Sequence, residues 1–118
     1  MIRTEVRTKR VYAEPSPEDG KRILVDRLWP RGLTKEKARV DLWLKDVAPS
    51  NELRKWFGHD PEKWTEFKTR YREELKSNPE PLALLRREAA QGPFTLLYGA
   101  RDEEHNEAIV LAALLDKR

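Results

Sequence analysis

The pattern of apolar and polar positions predicts two strands and a possible third, then three helices, a last strand and a last helix. Arg3 to Tyr12 alternates loosely, with Val6 and Thr8 on one face and Arg7 and Lys9 on the other. That many cations suit an edge strand, where charge discourages pairing with other chains. Glu14-Pro15-Ser16-Pro17-Glu18-Asp19-Gly20 reads as a loop from its prolines and its Asp-Gly. It holds no helix to carry a crossover, so the first two strands are expected to run antiparallel. Ile23 to Leu28 is the second strand, apolar enough for a central position covered on both faces. Pro30 and Gly32 end it, and Thr34 can cap a helical turn over 35–39. Val40 to Val47 fits a strand or a continued helix; Val40, Leu42 and Leu44 alternating with Asp41, Trp43 and Lys45 favours the strand.

Three helices should follow. Pro49 blocks helix before it, Ser50 can cap a short helix over 51–57, and Gly58 can close it left-handed. Asp60-Pro61 repeats the start signal for a helix to about Ser77, with Trp64, Phe67, Tyr71 and Leu75 on one face. A third, from Glu80 to Gln91, buries Leu82, Leu85 and Ala89 before Gly92 stops it. Phe94 to Gly99 is the last strand. Asp102 is expected to cap a final helix reaching Leu115, which places Glu103 and Glu104 in its first turn and Lys117 and Arg118 just past its end.

This order predicts a small single-domain α/β protein over residues 1–118, with a mixed sheet of three or four strands and four to five helices. The second and last strands are joined through helices, so they should run parallel and end on one sheet edge. Ligands of open α/β sheets bind outside such ends. One end delivers Asp26, Arg27, Trp29 and Arg31, the other Tyr98, Arg101 and Asp102. Arg27, Arg31 and Arg101 suit a phosphate or carboxylate through paired guanidinium hydrogen bonds. Asp26 is the candidate acid/base carboxylate, and His105 a candidate general base if it faces Asp26. The competing reading has Asp26 paired with an arginine to hold the loop. Trp29 and Trp56 offer flat faces to a ring such as a nucleobase, although tryptophans beside prolines more often pack beneath loops. Trp43, Trp64, Phe67 and Tyr71 are assigned to the core.

Other chemistry finds little support. His59 lies at a helix boundary and should close a turn. No histidine pair has metal-ligand spacing, the Pro30-Arg31-Gly32 turn lacks Walker spacing, and Ser16, Ser50 and Ser77 lack the glycines of a nucleophile elbow. No metal and no cofactor is expected.

Composition narrows the setting. The 118 residues suffice for one core, and a charged share of 38% implies a surface dense in ion pairs. A net charge of +3 suits an anionic ligand or, less readily, nucleic acid. No apolar run approaches the roughly 18 residues of a membrane span, and Met1-Ile2-Arg3-Thr4-Glu5 lacks a signal peptide's apolar core. Cysteine is absent, which excludes disulfides, thiolate zinc sites and thiol nucleophiles. A cytoplasmic protein without a membrane partner is expected. Its function is read as binding a small anionic or nucleotide-like ligand at the strand ends. The alternatives are nucleic-acid binding through Arg3, Arg7, Lys9, Arg10 and the Arg-rich helices, and a non-catalytic partner-binding module.

Val25-Asp26-Arg27-Leu28-Trp29-Pro30-Arg31-Gly32, then Ala48-Pro49-Ser50, Leu53-Arg54 and Trp56-Phe57, then Thr95-Leu96-Leu97-Tyr98, resemble the YeaO-like branch of the domain of unknown function 488 family. The resemblance covers nearly the whole chain and implies a small prokaryotic α/β protein of no established biochemical role. It also implies a difference. Many members of the wider family carry a cysteine in the last strand and a Cys-His-Arg triplet early in the next helix, where this chain has Tyr98 and Asn106-Glu107-Ala108. Thiol or imidazole chemistry of those relatives is therefore not transferred, whereas Asp26-Arg27 and Trp29-Pro30-Arg31-Gly32 match directly.

Overall fold

The computed structural model describes residues 6–116, so Arg3 of the expected first strand and Lys117 and Arg118 lie outside the described residues. Four strands, β1 (Arg7–Arg10), β2 (Lys21–Leu24), β3 (Leu42–Trp43) and β4 (Phe94–Tyr98), form one sheet in the order β1-β4-β2-β3. All three pairings are parallel. The sheet is thus parallel rather than mixed, and β1 and β2 are neither antiparallel nor neighbours. The reason is β4. Every residue of Phe94-Thr95-Leu96-Leu97-Tyr98 is buried, and a strand with no polar face to spare is stable only with partners on both sides. It enters between β1 and β2, in register Thr8↔Leu96 and Ile23↔Leu96, so the first connection only has to step over one strand.

Five helices complete the fold: α1 (Lys35–Ala38), α2 (Asn51–Phe57), α3 (Trp64–Ser77), α4 (Glu80–Ala89) and α5 (Glu107–Asp116). Their starts follow the local chemistry of the chain. Thr34 caps α1 through the Lys37 N–H, Ser50 caps α2 through the Leu53 N–H, and Gly58 closes α2 at φ +54°. Asp60 and Pro61 open a turn of 3-10 helix that runs into α3.

The two faces of the sheet are covered unequally. Strand alternation sends Ile23, Val25, Leu96 and Tyr98 into one large core with Leu53 and Phe57 of α2, Phe67, Tyr71 and Leu75 of α3, Leu85 of α4 and Leu111 of α5. The apolar cluster on the opposite face is smaller: Val11, Leu24 and Leu97, under Ala38 of the one-turn α1 and the partly buried Trp29, Leu33 and Val40. Within the expected strand 40–47 only Leu42 and Trp43 pair, and 45–47 form a 3-10 turn. Trp43, expected in the core, is 36% exposed instead, because its neighbours leave the sheet directly after it.

Candidate functional site

The site forms where the two central strands stop pairing. Their ladder ends with the Val25 N–H donating to the Leu97 carbonyl at 3.1 Å. One residue on, the Asp26 side chain crosses the widening gap, and its Oδ2 accepts the Gly99 N–H at 2.8 Å. The carboxylate takes the role that the next backbone carbonyl would have had. Gly99 is needed for this, since a Cβ there would stand 2.9 Å from Oδ2. From the other side the Trp43 indole Nε1 donates to the Asp26 carbonyl at 2.7 Å, so the residue is held by both backbone and side chain.

The facing wall is the start of α5. The expected cap, Asp102, does not begin this helix. Asn106 does: its Oδ1 accepts the Ile109 N–H at 3.1 Å and its Nδ2 donates to the Asp102 carbonyl at 2.9 Å. Asp102 instead ties a separate turn, accepting the N–H groups of Glu104 (2.9 Å) and His105 (3.1 Å) and meeting His105 Nδ1 at 2.8 Å. The Glu104 N–H, then the His105 side chain, hold the Asp102 carboxyl below its ordinary value. Glu103, Glu104 and His105 therefore precede the helix, and the first-turn acid is Glu107.

Glu107 lines the same pocket as Asp26, and the two carboxyls interact. Burial first, then the neighbouring Asp26 carboxyl, push Glu107 well above the usual carboxyl range. A carboxylic acid next to a carboxylate is a hydrogen bond, whereas two buried carboxylates repel. Above the pair opens a pocket of about 250 Å³. Phe57 and Phe67, stacked with centroids 4.4 Å apart, form its apolar wall. Arg54 and His59 reach it from α2 and the turn after it, and His105, edge-on to Trp64 at 5.2 Å, from the turn before α5.

Of the residues expected at the strand ends, Asp26, Arg27 and His105 line this pocket. Arg27 does so with its guanidinium already donating to the Ala48 and Pro49 carbonyls, at 3.3 and 3.4 Å. Trp29, Arg31, Tyr98, Arg101 and Asp102 do not line it. Trp29 turns to the thin face of the sheet, its Nε1 donating to the Leu33 carbonyl at 2.7 Å. Arg31 and Arg101 are exposed away from it, and Tyr98 is buried in the main core, where burial raises its phenol. Trp56 does not line the pocket; Arg70 and Lys63 stand 4.3 and 5.1 Å from its ring centroid. His59 does close a turn, at φ +58°, and also lines the pocket.

Sequence reasoning missed Glu107 and Arg54 as site residues. The signal for Glu107 was present: it opens the otherwise apolar run Ala108-Ile109-Val110-Leu111-Ala112-Ala113-Leu114-Leu115. An acid at the head of so buried a helix needs a partner or a proton. Its position also corresponds, in the resemblance, to the triplet that differs from the wider family.

A family model described as the inactive DUF488-N3 subclade, DUF488-N3i, matches residues 5–118. The chain belongs to this family. Uncharacterized proteins of Mycobacterium bovis and Mycobacterium tuberculosis are each 47% identical to the chain over 119 residues, covering 100% of both partners. The uncharacterized protein YeaO of Escherichia coli is 42% identical over 107 residues, 91% of this chain and 93% of its own. No solved structure matches significantly. Among the described residues no helix is long and apolar enough to cross a membrane.

Proposed function

We propose that this DUF488-N3i protein is a cytoplasmic binding module that holds a small nucleotide-like ligand in the pocket between β2 and α5 without converting it. The observation that carries the reading is the pocket's composition. An apolar aromatic wall, Phe57 and Phe67, faces a polar floor, Asp26 and Glu107, with the Arg54 side chain at the rim. Pockets for small ligands combine a mostly apolar lining with a few fixed polar groups in this way. A planar ring fits between wall and floor, and an anionic group on the ligand fits Arg54. A bare anion fits less well, because Arg27 is committed to two carbonyls and the floor is acidic. Binding without turnover agrees with the family's description as inactive and with a chain that has no thiol.

Nucleic-acid binding has less behind it. Lys9 pairs with Asp19 at 3.2 Å, Arg10 donates to the Ala100 carbonyl at 2.9 Å, and Arg7 donates to the Glu18 carbonyl at 2.6 Å. These three cations of β1 are engaged within the fold. Thermal unfolding with AMP, CMP, ribose 5-phosphate and inorganic phosphate separates the readings. The nucleotides are expected to raise Tm in proportion to the logarithm of their concentration, with Arg54→Ala losing the shift. No shift from any of them, or the same shift in Arg54→Ala, would count against the pocket.

A further inference from the structure

The most unusual chemistry in the molecule is the floor of the pocket, and it carries an inference about what kind of ligand edge the site accepts. We propose that Asp26 and Glu107 hold one proton between them and that the pair selects an uncharged ligand edge presenting a hydrogen-bond donor beside an acceptor, as a carboxamide, lactam or amino-azine does. This rests on the reading of the pocket as a ligand site and specifies its chemistry.

The geometry supports the pair in three ways. Asp26 cannot retreat, because Gly99 N–H holds its Oδ2 and Trp43 holds its carbonyl. Glu107, in the first turn of α5, lines the same pocket as Asp26. No ion pair is made by either carboxyl among the described residues, so the negative charge is not cancelled by a bonded cation. Two carboxyls fixed against each other in a cavity relieve their repulsion by retaining a proton. Burial and the Asp26 carboxyl both favour that protonated form of Glu107.

The charged and titratable groups facing the pair are Arg27 after β2, Arg54 on α2, His59 after α2, His105 before α5 and Tyr71 on α3. Burial first, then Glu107, raise the Tyr71 phenol; Asp26 adds to the rise, so it stays a neutral neighbour. The singly protonated pair offers one O–H donor and carboxylate acceptors side by side. A carboxamide or lactam edge completes both. A ligand carboxylate or phosphate completes only the donor and is repelled by the remaining charge.

The test uses the full chain in two arms. In the first, carboxyl carbon NMR follows Glu107, assigned by its loss in Glu107→Gln. Its titration is expected well above the ordinary glutamate range and lower in Asp26→Asn. An ordinary titration in the wild type overturns the shared proton. In the second arm, benzamide and cytosine are titrated against benzoate across pH. Benzamide and cytosine are expected to bind more tightly than benzoate. Their affinity should fall by up to about tenfold per pH unit once the pair's proton is lost. In Glu107→Gln, where the side chain keeps its hydrogens at every pH, that dependence should vanish. Benzoate binding as tightly as benzamide, or no binding of either neutral probe, overturns the selectivity. The NMR arm needs no ligand, so a failed nucleotide screen and a failed proton pair give different results.

Discussion

Asp19 and Glu107 show how one residue type takes opposite roles. Asp19 is buried at the head of β2 with Arg22, also buried, and Lys9. Burial alone would raise its carboxyl. The Ser16 N–H and the Lys9 and Arg22 side chains outweigh that and hold it below the ordinary value. A group depressed on folding contributes stability above its unfolded pKa and loses it as pH falls through the folded one. Glu107, raised on folding, has the other sign: its contribution declines as pH rises from its unfolded pKa towards the folded one. Urea unfolding across pH is therefore expected to show a shallower acid limb in Asp19→Asn, and less loss of stability towards neutral pH in Glu107→Gln. Unchanged limbs in both variants would remove this assignment.

The elements divide into those specified locally and those placed by others. The α2 start at Ser50 and its end at Gly58 follow from residues adjacent in the chain. The α5 start does not. Asp102, with two acids after it, is as good a local cap as Asn106, and the choice is made by packing. Asn106 is buried and its Nδ2 donates to the Asp102 carbonyl, which goes with a helix start four residues later than the local pattern indicates. Asn106→Ala is expected to cost about 1 kcal/mol from the lost cap, with a further loss from the unpaired Asp102 carbonyl. Chemical denaturation checks the stability, and weaker benzamide binding would show that Glu107 had shifted with the helix start.

The molecule is organised around β4, buried along its whole length and paired on both edges. One face of its sheet supports four helices; the other is closed by α1 and the segments on either side of it. Few buried apolar contacts mean low local opening free energy. Amide exchange is expected to be faster over 28–40 than over β4 and α3, and a uniform pattern would contradict the unequal covering. Leu96→Ala, in the thick core, should cost about 2–5 kcal/mol. Leu97→Ala, on the thin face, should cost less, because the loop above it can settle into the space. Equal losses in denaturant unfolding would show that the thin face is as rigid as the thick one.

Periodicity and capping residues by themselves determined the α/β class, the helical stripes of α3 and α4, and Asp26 at a strand end. Those are properties of neighbours in the chain, and local sterics and hydrogen bonding decide them. Only the tertiary structure decided that β1 lies beside β4 rather than β2, that Trp29 turns away from the pocket, and that Glu107 meets Asp26. Each of these depends on which buried surface is left uncovered once β4 takes the centre of the sheet. That competition among distant segments has no period along the chain.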